Sequence, residues 1–312
     1  MNQKLARFGF FVVLFLSLAA GSLAQTVAIT IDDGPNTEQT PLMFAAQRNQ
    51  AMLDALKRHQ VSAALFVTAG YGANRPDGLA LTKAWGEAGH QIANHTMTHP
   101  NLESEKVSVA QYQQEILQCD AIISQLPGYQ RWFRYTYLRE GDSPKTIASM
   151  QKFLKAQNYR NAYVSLDTSD WRLNDALIQV LKKNPNADLT PIKSAYLAHV
   201  KQRALAYRSI SQQLQGRDIA QVLLLHHNLI NALWLGDVIE QFKSMGWTIV
   251  SPQVAFEDPV YQLTPQSRFS GQSLLLSIAR SLMVGRVAGF ERLTDDGDFE
   301  IEQLNTLGLK VK

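Results

Sequence analysis

The sequence predicts an α/β fold built on a parallel sheet in a barrel-like arrangement with one active face. Three observations carry this. Apolar strand segments alternate with helical segments along most of the chain. Every polar motif falls at the carboxyl end of one of those strands, where barrels and open α/β sheets assemble their sites. The 312 residues, 46% of them hydrophobic, suit one domain of barrel size.

The elements follow in order. Val27–Ile31 reads as a buried strand, 51–59 as a helix, 63–68 as a strand, and 79–88 as a helix closed by Gly89. His90–Asn94 is a strand, Val107–Leu126 a helix, Trp132–Tyr137 a strand, Pro144–Gln157 a helix and Tyr163–Leu166 a strand. A long helical region, 191–214, precedes the strand 220–225, the helix 233–244 and the strand 247–250. The stretch between Trp171 and His226 reads as a helical insertion.

The first residues, Met1 to Arg7, carry two cations and no acid. They are followed by the apolar run Phe8–Ala20 and then Ser22-Leu23-Ala24, the pattern of a signal peptide cleaved after Ala24. The run is shorter than the roughly 20 residues that span a bilayer, so no stable membrane anchor is expected after cleavage. The chain is expected to be exported, either periplasmic or secreted. Without Lys4 and Arg7, 28 basic residues face 27 acidic ones, which leaves no electrostatic case for nucleic acid. The single cysteine, Cys119, lies among apolar residues at helical spacing and reads as a buried thiol. Nothing in the sequence speaks to oligomeric state.

Five short motifs carry the chemistry. In Thr30-Ile-Asp-Asp-Gly-Pro35, two aspartates end an apolar strand at a turn signal, so one carboxylate can bind a metal while the other serves as a base. In His95-Thr-Met-Thr-His99 the two histidines share a face if the segment is helical. Asp33, His95 and His99 then form a three-ligand set with an open position, the pattern of a catalytic site, and Asp32 is left as the base. In Arg134-Tyr-Thr-Tyr137 the guanidinium can hold Asp32 ionised. Asp167-Thr-Ser-Asp170-Trp171 and Leu224-Leu-His226-His227 place an acid and an imidazole at strand ends, a pairing suited to a general acid. Period-two logic leaves a register open in which Leu225 and His227 replace Leu224 and His226; His226 is preferred.

With these motifs in this order, the chain resembles the polysaccharide deacetylases, the NodB-homology group of carbohydrate esterase family 4, over roughly Thr26 to Asp258. The resemblance implies a distorted (β/α) barrel of the polysaccharide deacetylase type, here with a helical insertion and a C-terminal appendage. It also implies removal of acetyl groups from N-acetylated glycans such as peptidoglycan, chitin oligomers or poly-N-acetylglucosamine. The implied metal ligands are Asp33, His95 and His99, with Asp32 as base and Arg134 as its tether. It further implies that Asp170 tunes His226, that Tyr137 offers its backbone N–H to an oxyanion, and that Trp171 and Leu224 wall the pocket for the acetyl methyl. One divalent metal ion is expected. Zinc is preferred on ligand type, and cobalt, manganese, nickel or iron suit the same donors. The chain departs from the family at Thr136, where proline is usual, and at Leu138, where glycine is frequent.

The expected organisation is a signal peptide over 1–24, the catalytic domain over 25–260 and an appendage over 261–312. That appendage contains a helix-like segment, Ser273–Met283, and the acidic cluster Asp295-Asp-Gly-Asp298. Two other readings use the same motifs: a metal-dependent amidase or esterase acting on a non-sugar substrate, and a noncatalytic member that binds glycans.

Overall fold

Strand β1 (Thr26–Gly34) is buried along nearly its whole length, as expected for a central parallel strand covered on both faces. A computed structural model describes residues 25–265 and 271–282, together with 302, 305 and 306. The signal peptide expected over 1–24, the acidic cluster at 295–298 and Met283 lie outside the described residues.

The remaining strands are β2 (Ala63–Val67), β3 (Gln91–Asn94), β4 (Tyr129–Phe133), β5 (Arg160–Asn161), β6 (Leu166–Asp167), β7 (Gln221–His226) and β8 (Thr248–Ile249). All pair in parallel in the order β5-β4-β3-β2-β1-β7-β6, with β8 added at the first residues of β1. This is a curled sheet ringed by helices: α1 (Ala45–His59), α2 (Pro76–Glu87), α3 (Val109–Ile123), α4 (Pro144–Ala156), α5 (Asp170–Lys183), α6 (Thr190–Gln215), α7 (Leu229–Ser244), α8 (Pro252–Phe256) and α9 (Leu274–Ser281). Local chemistry sets several helix starts. Ser108, Ser143, Asn228, Ser251 and Ser273 each accept a backbone N–H from the first turn of the helix they cap.

Two expected strands are shorter than the apolar runs suggested. The run from Trp132 to Tyr137 is not one strand: β4 stops at Phe133, because Tyr137 (φ 56°) and Leu138 (φ 53°) occupy the left-handed region, which no strand contains. Tyr163–Leu166 is also not continuous. Strand pairing stops at Asn161, and β6 begins only at Leu166. Between them the Val164 carbonyl accepts the Leu274 N–H at 2.7 Å, so the start of α9 takes a bond that a strand would otherwise supply. The insertion is helical as read, and consists of α5 followed by α6.

The main core unites the sheet with α1, α6, α7 and the segment beyond 260. Val260, Tyr261, Leu274, Leu275 and Leu276 belong to it, and the Tyr261 hydroxyl donates to the Ala220 carbonyl at 2.6 Å. Because Leu275 is fully buried, Leu275→Ala leaves a cavity in the main core. It is expected to lower unfolding stability by about 2–5 kcal/mol in a denaturant titration that still shows one transition. A second, earlier transition would mean that α9 unfolds independently of the sheet.

Candidate active site

The carboxylate pair is shaped by an irregularity in β1. Its register with β2 slips between Ile31 and Gly34, and Asp33 sits at φ 64°, the signature of a bulge that re-aims a side chain. Asp32 and Asp33 do diverge, but both still reach His95. Nε2 of His95 lies 3.6 Å from Asp32 Oδ2 and 3.8 Å from Asp33 Oδ1. The Thr68 hydroxyl, just past β2, donates to Asp33 Oδ1 at 3.3 Å.

The two histidines converge by a turn and not by a helix. Thr96 (φ 74°) and His99 (φ 60°) are left-handed, so the conditional helical reading of this motif is replaced. Asn94 Oδ1 accepts the Thr96 N–H at 2.9 Å and Thr96 Oγ1 accepts the His99 N–H at 3.0 Å. Gly70 approaches from the β2 side and donates to the Met97 carbonyl at 2.6 Å. A side chain at Gly70 would place its Cβ 2.6 Å from that oxygen, so only glycine allows the approach. His99 Nε2 ends 3.4 Å from Asp33 Oδ1.

Arg134, 1% exposed, extends under the pair. Its Nη1 donates to Asp32 Oδ1 at 2.5 Å and to Thr30 Oγ1 at 2.9 Å, and its Nε donates to the Ala162 carbonyl at 3.0 Å. Its guanidinium also lies 3.8 Å from the centre of the Phe66 ring. Burial lowers its pKa, but the Asp32 carboxylate opposes that shift.

At the next two strand ends, Asp170 and His226 meet at 2.6 Å through Nδ1. Asp170 is fully buried at the first turn of α5 and also accepts the His226 N–H and both Asn228 Nδ2 and Asn231 Nδ2. Burial disfavours the imidazolium of His226, yet Asp170, with smaller help from Asp33 and Asp32, outweighs it and pushes the pKa up to about 10. The register is settled as well. Cα pairing sets His226 opposite Asp32, while His227 points behind the sheet, with Nε2 3.0 Å from Asn49 Oδ1 and its pKa pushed down by burial to about 4.

Asp32, Asp33, His95, His99, Tyr137, Trp171, Leu224 and His226 all line one cavity of about 300 Å³. Arg134 lies beneath it and Asp170 behind His226. Tyr137 is half exposed, with its ring edge-on to His99 at 4.4 Å, and Trp171 and Leu224 supply apolar wall. The Thr136 hydroxyl hydrogen-bonds the Pro100 carbonyl, and its N–H donates to the Tyr112 hydroxyl at 3.1 Å, a bond proline could not make. Sequence reasoning missed Thr30, Thr68, Asn228, Asn231 and Gly271. Thr30 was accessible by period two, since it shares a strand face with Asp32. Gly271 lines the cavity from the far end of the chain, with no local signal.

The donor set fits a divalent cation. The ligand atoms of Asp33, His95 and His99 lie within 4.8 Å of one another. Tetrahedral bonds of about 2.0–2.1 Å separate ligands by roughly 3.3–3.4 Å, close to the His99–Asp33 spacing. His95 Nδ1 sits 2.8 Å from the Arg134 carbonyl, which fixes the proton there and leaves Nε2 free to ligate. Burial, despite the attraction of Asp33, holds His99 at about 4, so its ring is neutral. Asp33 is held below the usual carboxylate range: burial opposes this, but the imidazoles of His99, His226 and His95 outweigh burial. His99 itself is steadied by ring contacts, with Tyr71 stacked at 6.0 Å and Tyr137 edge-on.

Residues 21–158 match the family described as polysaccharide deacetylase. A peptidoglycan-N-acetylglucosamine deacetylase of Bacillus cereus is 33% identical over 147 residues, 47% of this chain and 46% of that protein. A chitooligosaccharide deacetylase of Sinorhizobium fredii is 40% identical over 85 residues, 27% of this chain and 34% of that protein. The chain thus matches about half or less of the length of these relatives. Among solved structures, a peptidoglycan N-acetylglucosamine deacetylase bound to an N-oxidanyl-benzamide superposes with a TM-score of 0.51 at 24% identity. The superposition covers 76% of this chain and 92% of that one, and shows the same curled parallel sheet.

Two outcomes follow from the site's electrostatics. Asp170→Asn removes the charge that sustains the imidazolium and leaves burial less opposed, so NMR titration of metal-free protein is expected to show the His226 pKa falling well below about 10. A folded pKa above the ordinary value also means that this pairing contributes stability in full below pH 6.5. That contribution is lost as the pH climbs through about 10, and the variant's stability curve should lack the loss. Thr68→Val, which removes the hydroxyl that orients Asp33, is expected to weaken zinc or cobalt binding roughly tenfold by competition titration, with the fold intact.

Proposed function

This chain belongs, over residues 21–158, to the polysaccharide deacetylase family, the NodB-homology group of carbohydrate esterase family 4, and on that premise we propose that it is an exported, metal-dependent hydrolase removing acetyl groups from N-acetylated glycans. The observation that carries the proposal is the convergence, in one cavity, of the Asp33–His95–His99 donors, the Asp32–Arg134 pair and the Asp170–His226 pair. Export rests on the pattern of residues 1–24.

Asp33, His95 and His99 would hold a divalent metal, which would supply Lewis acidity for the acyl oxygen and for water. Asp32 is the base that takes the proton from the attacking water. Its Oδ1 is committed to Arg134, so Oδ2, on the His95 side, is the oxygen that accepts. Arg134 holds that carboxylate in place through Oδ1. Attack on the amide carbonyl builds negative charge on its oxygen, and the Tyr137 backbone N–H is the chain's own donor to it. As the carbon–nitrogen bond breaks, His226 delivers a proton from Nε2 to the departing amine. Nδ1 stays on Asp170, whose charge favours the protonated ring that this step needs. Trp171 and Leu224 enclose the acetyl methyl.

Relatives named for peptidoglycan and for chitooligosaccharides support the glycan class, and the substrate test spans both. The mature protein, loaded with zinc or cobalt, is expected to release acetate from N-acetylglucosamine pentamer or from purified peptidoglycan. Release should disappear on chelation, return on metal addition, and fall by about 10²–10⁴-fold in Asp32→Asn. No acetate from folded, metal-loaded protein on either substrate would turn the assignment towards a non-sugar amide or ester, or towards glycan binding without turnover.

A further inference from the structure

Arg134 has five N–H donors, and the bonds described above engage only Nε and Nη1. Its Nη2 is buried with no partner among the described residues. A buried, charged donor left unpaired is costly, so such an atom at the centre of a site implies a ligand for it. A small cavity of about 10 Å³ lies behind the active site, and both Arg134 and Gln272 line it. Gln272 Oε1 is likewise buried without a partner among the described residues. A cavity of this size sits at the lower bound for one water, and a buried water needs two to four polar neighbours. Besides the two orphaned atoms, the lining includes Glu140 and Asn161.

Gln272 is held in place by its neighbours in sequence. The Gly271 N–H donates to the Leu138 carbonyl at 3.1 Å, the Leu274 N–H donates to the Val164 carbonyl at 2.7 Å, and Ser273 caps α9. The first of these bonds also pins the left-handed Tyr137–Leu138 turn at the cavity rim. A segment more than 130 residues beyond Arg134 in sequence therefore touches the site at two levels: the rim through Gly271, and the underside through Gln272.

We propose that Gln272 is a positioning residue for the reaction, holding the guanidinium of Arg134 through a single buried water between its Oε1 and Arg134 Nη2. The C-terminal segment 271–274 is then part of the active site. Gln272 touches neither substrate nor metal. It acts by fixing the plane of the guanidinium, and with it Asp32 Oδ1, so its effect falls on the chemical step and not on substrate binding.

The inference rests on the reading of Arg134 and Asp32 as the base pair, and two independent measurements separate it from that reading. In a high-resolution crystal structure of the metal-loaded protein, a water peak is expected within hydrogen-bonding distance of both Arg134 Nη2 and Gln272 Oε1. An empty cavity in a map that resolves other buried waters overturns the proposal, whatever the activity. In kinetics, Gln272→Met, which keeps the length and loses the acceptor, is expected to lower kcat roughly tenfold, with KM, metal affinity and melting temperature close to the parent's. Gln272→Glu, which keeps an oxygen at the same reach, should recover most of that loss. Equal losses in both variants, or none in Gln272→Met, overturn the positioning role. A wild-type protein that shows the water but releases no acetate refutes the deacetylase reading and leaves the bridge standing.

Discussion

The buried ion pair between Arg134 and Asp32 is the constraint around which the site is organised. Both side chains are almost wholly excluded from solvent, and removing one partner of such a pair typically costs about 3–5 kcal/mol because the other charge is stranded. The pair also fastens the sheet across its width. The guanidinium bonds Thr30 and Asp32 of β1, rests on Phe66 of β2, departs from the end of β4, and bonds Ala162 beyond β5. Its own backbone carbonyl orients His95. One arginine thus holds the Asp32 carboxylate in place and sets the tautomer of His95. A shift in it would disturb both functions together.

The scaffold tolerates backbone strain around this pair. Of the nine described non-glycine residues with positive φ, six lie in the motifs or immediately beside them: Asp33, Thr96, His99, Tyr137, Leu138 and Ser169. Left-handed conformations of this kind persist where surrounding bonds over-determine them. Here they do: Thr96 and His99 are locked by side-chain caps, Leu138 is tied by Gly271, and Ser169 donates its N–H to Asp167 Oδ1 at 2.8 Å. The strand ends bend sharply enough to turn their side chains inward, and the ladder behind them stays regular.

That division explains what could be read in advance. Regular parts were legible, because buried parallel strands and amphipathic helices impose apolar periodicity. β1, β2, β3 and β7 and the long helices fall within a few residues of where the pattern put them. The turns were not. Nothing in His95-Thr-Met-Thr-His99 distinguishes a helical i, i+4 pair from a double left-handed turn, since the deciding bonds come from Asn94 and Thr96 in their folded positions. β4 and β6 were misjudged for a related reason: Tyr135, Val164 and Ser165 are buried, as strand residues would be, but in irregular backbone bonded to other elements. The site residues were legible wherever a motif placed them at a strand end. Thr68, Asn231 and Gln272 were hidden because their role depends on a partner distant in sequence.

His226 and His227 show how far residue type alone determines chemistry. They are adjacent, both are withdrawn from solvent, and burial pushes both towards the neutral form. Their pKa values nevertheless move in opposite directions, to about 10 and about 4. The alternation of a strand sends one towards Asp170 and the other towards Asn49, and only a carboxylate can offset the desolvation of an imidazolium. Asp170 can remain ionised in a fully buried position because Asn228, Asn231 and the His226 backbone also donate to it. The protonated form of His226 is therefore sustained by a chain of contacts from α7 through Asp170 to one face of β7. A one-residue slip in that strand would turn His226 away from Asp170 and remove the charge that sustains its imidazolium.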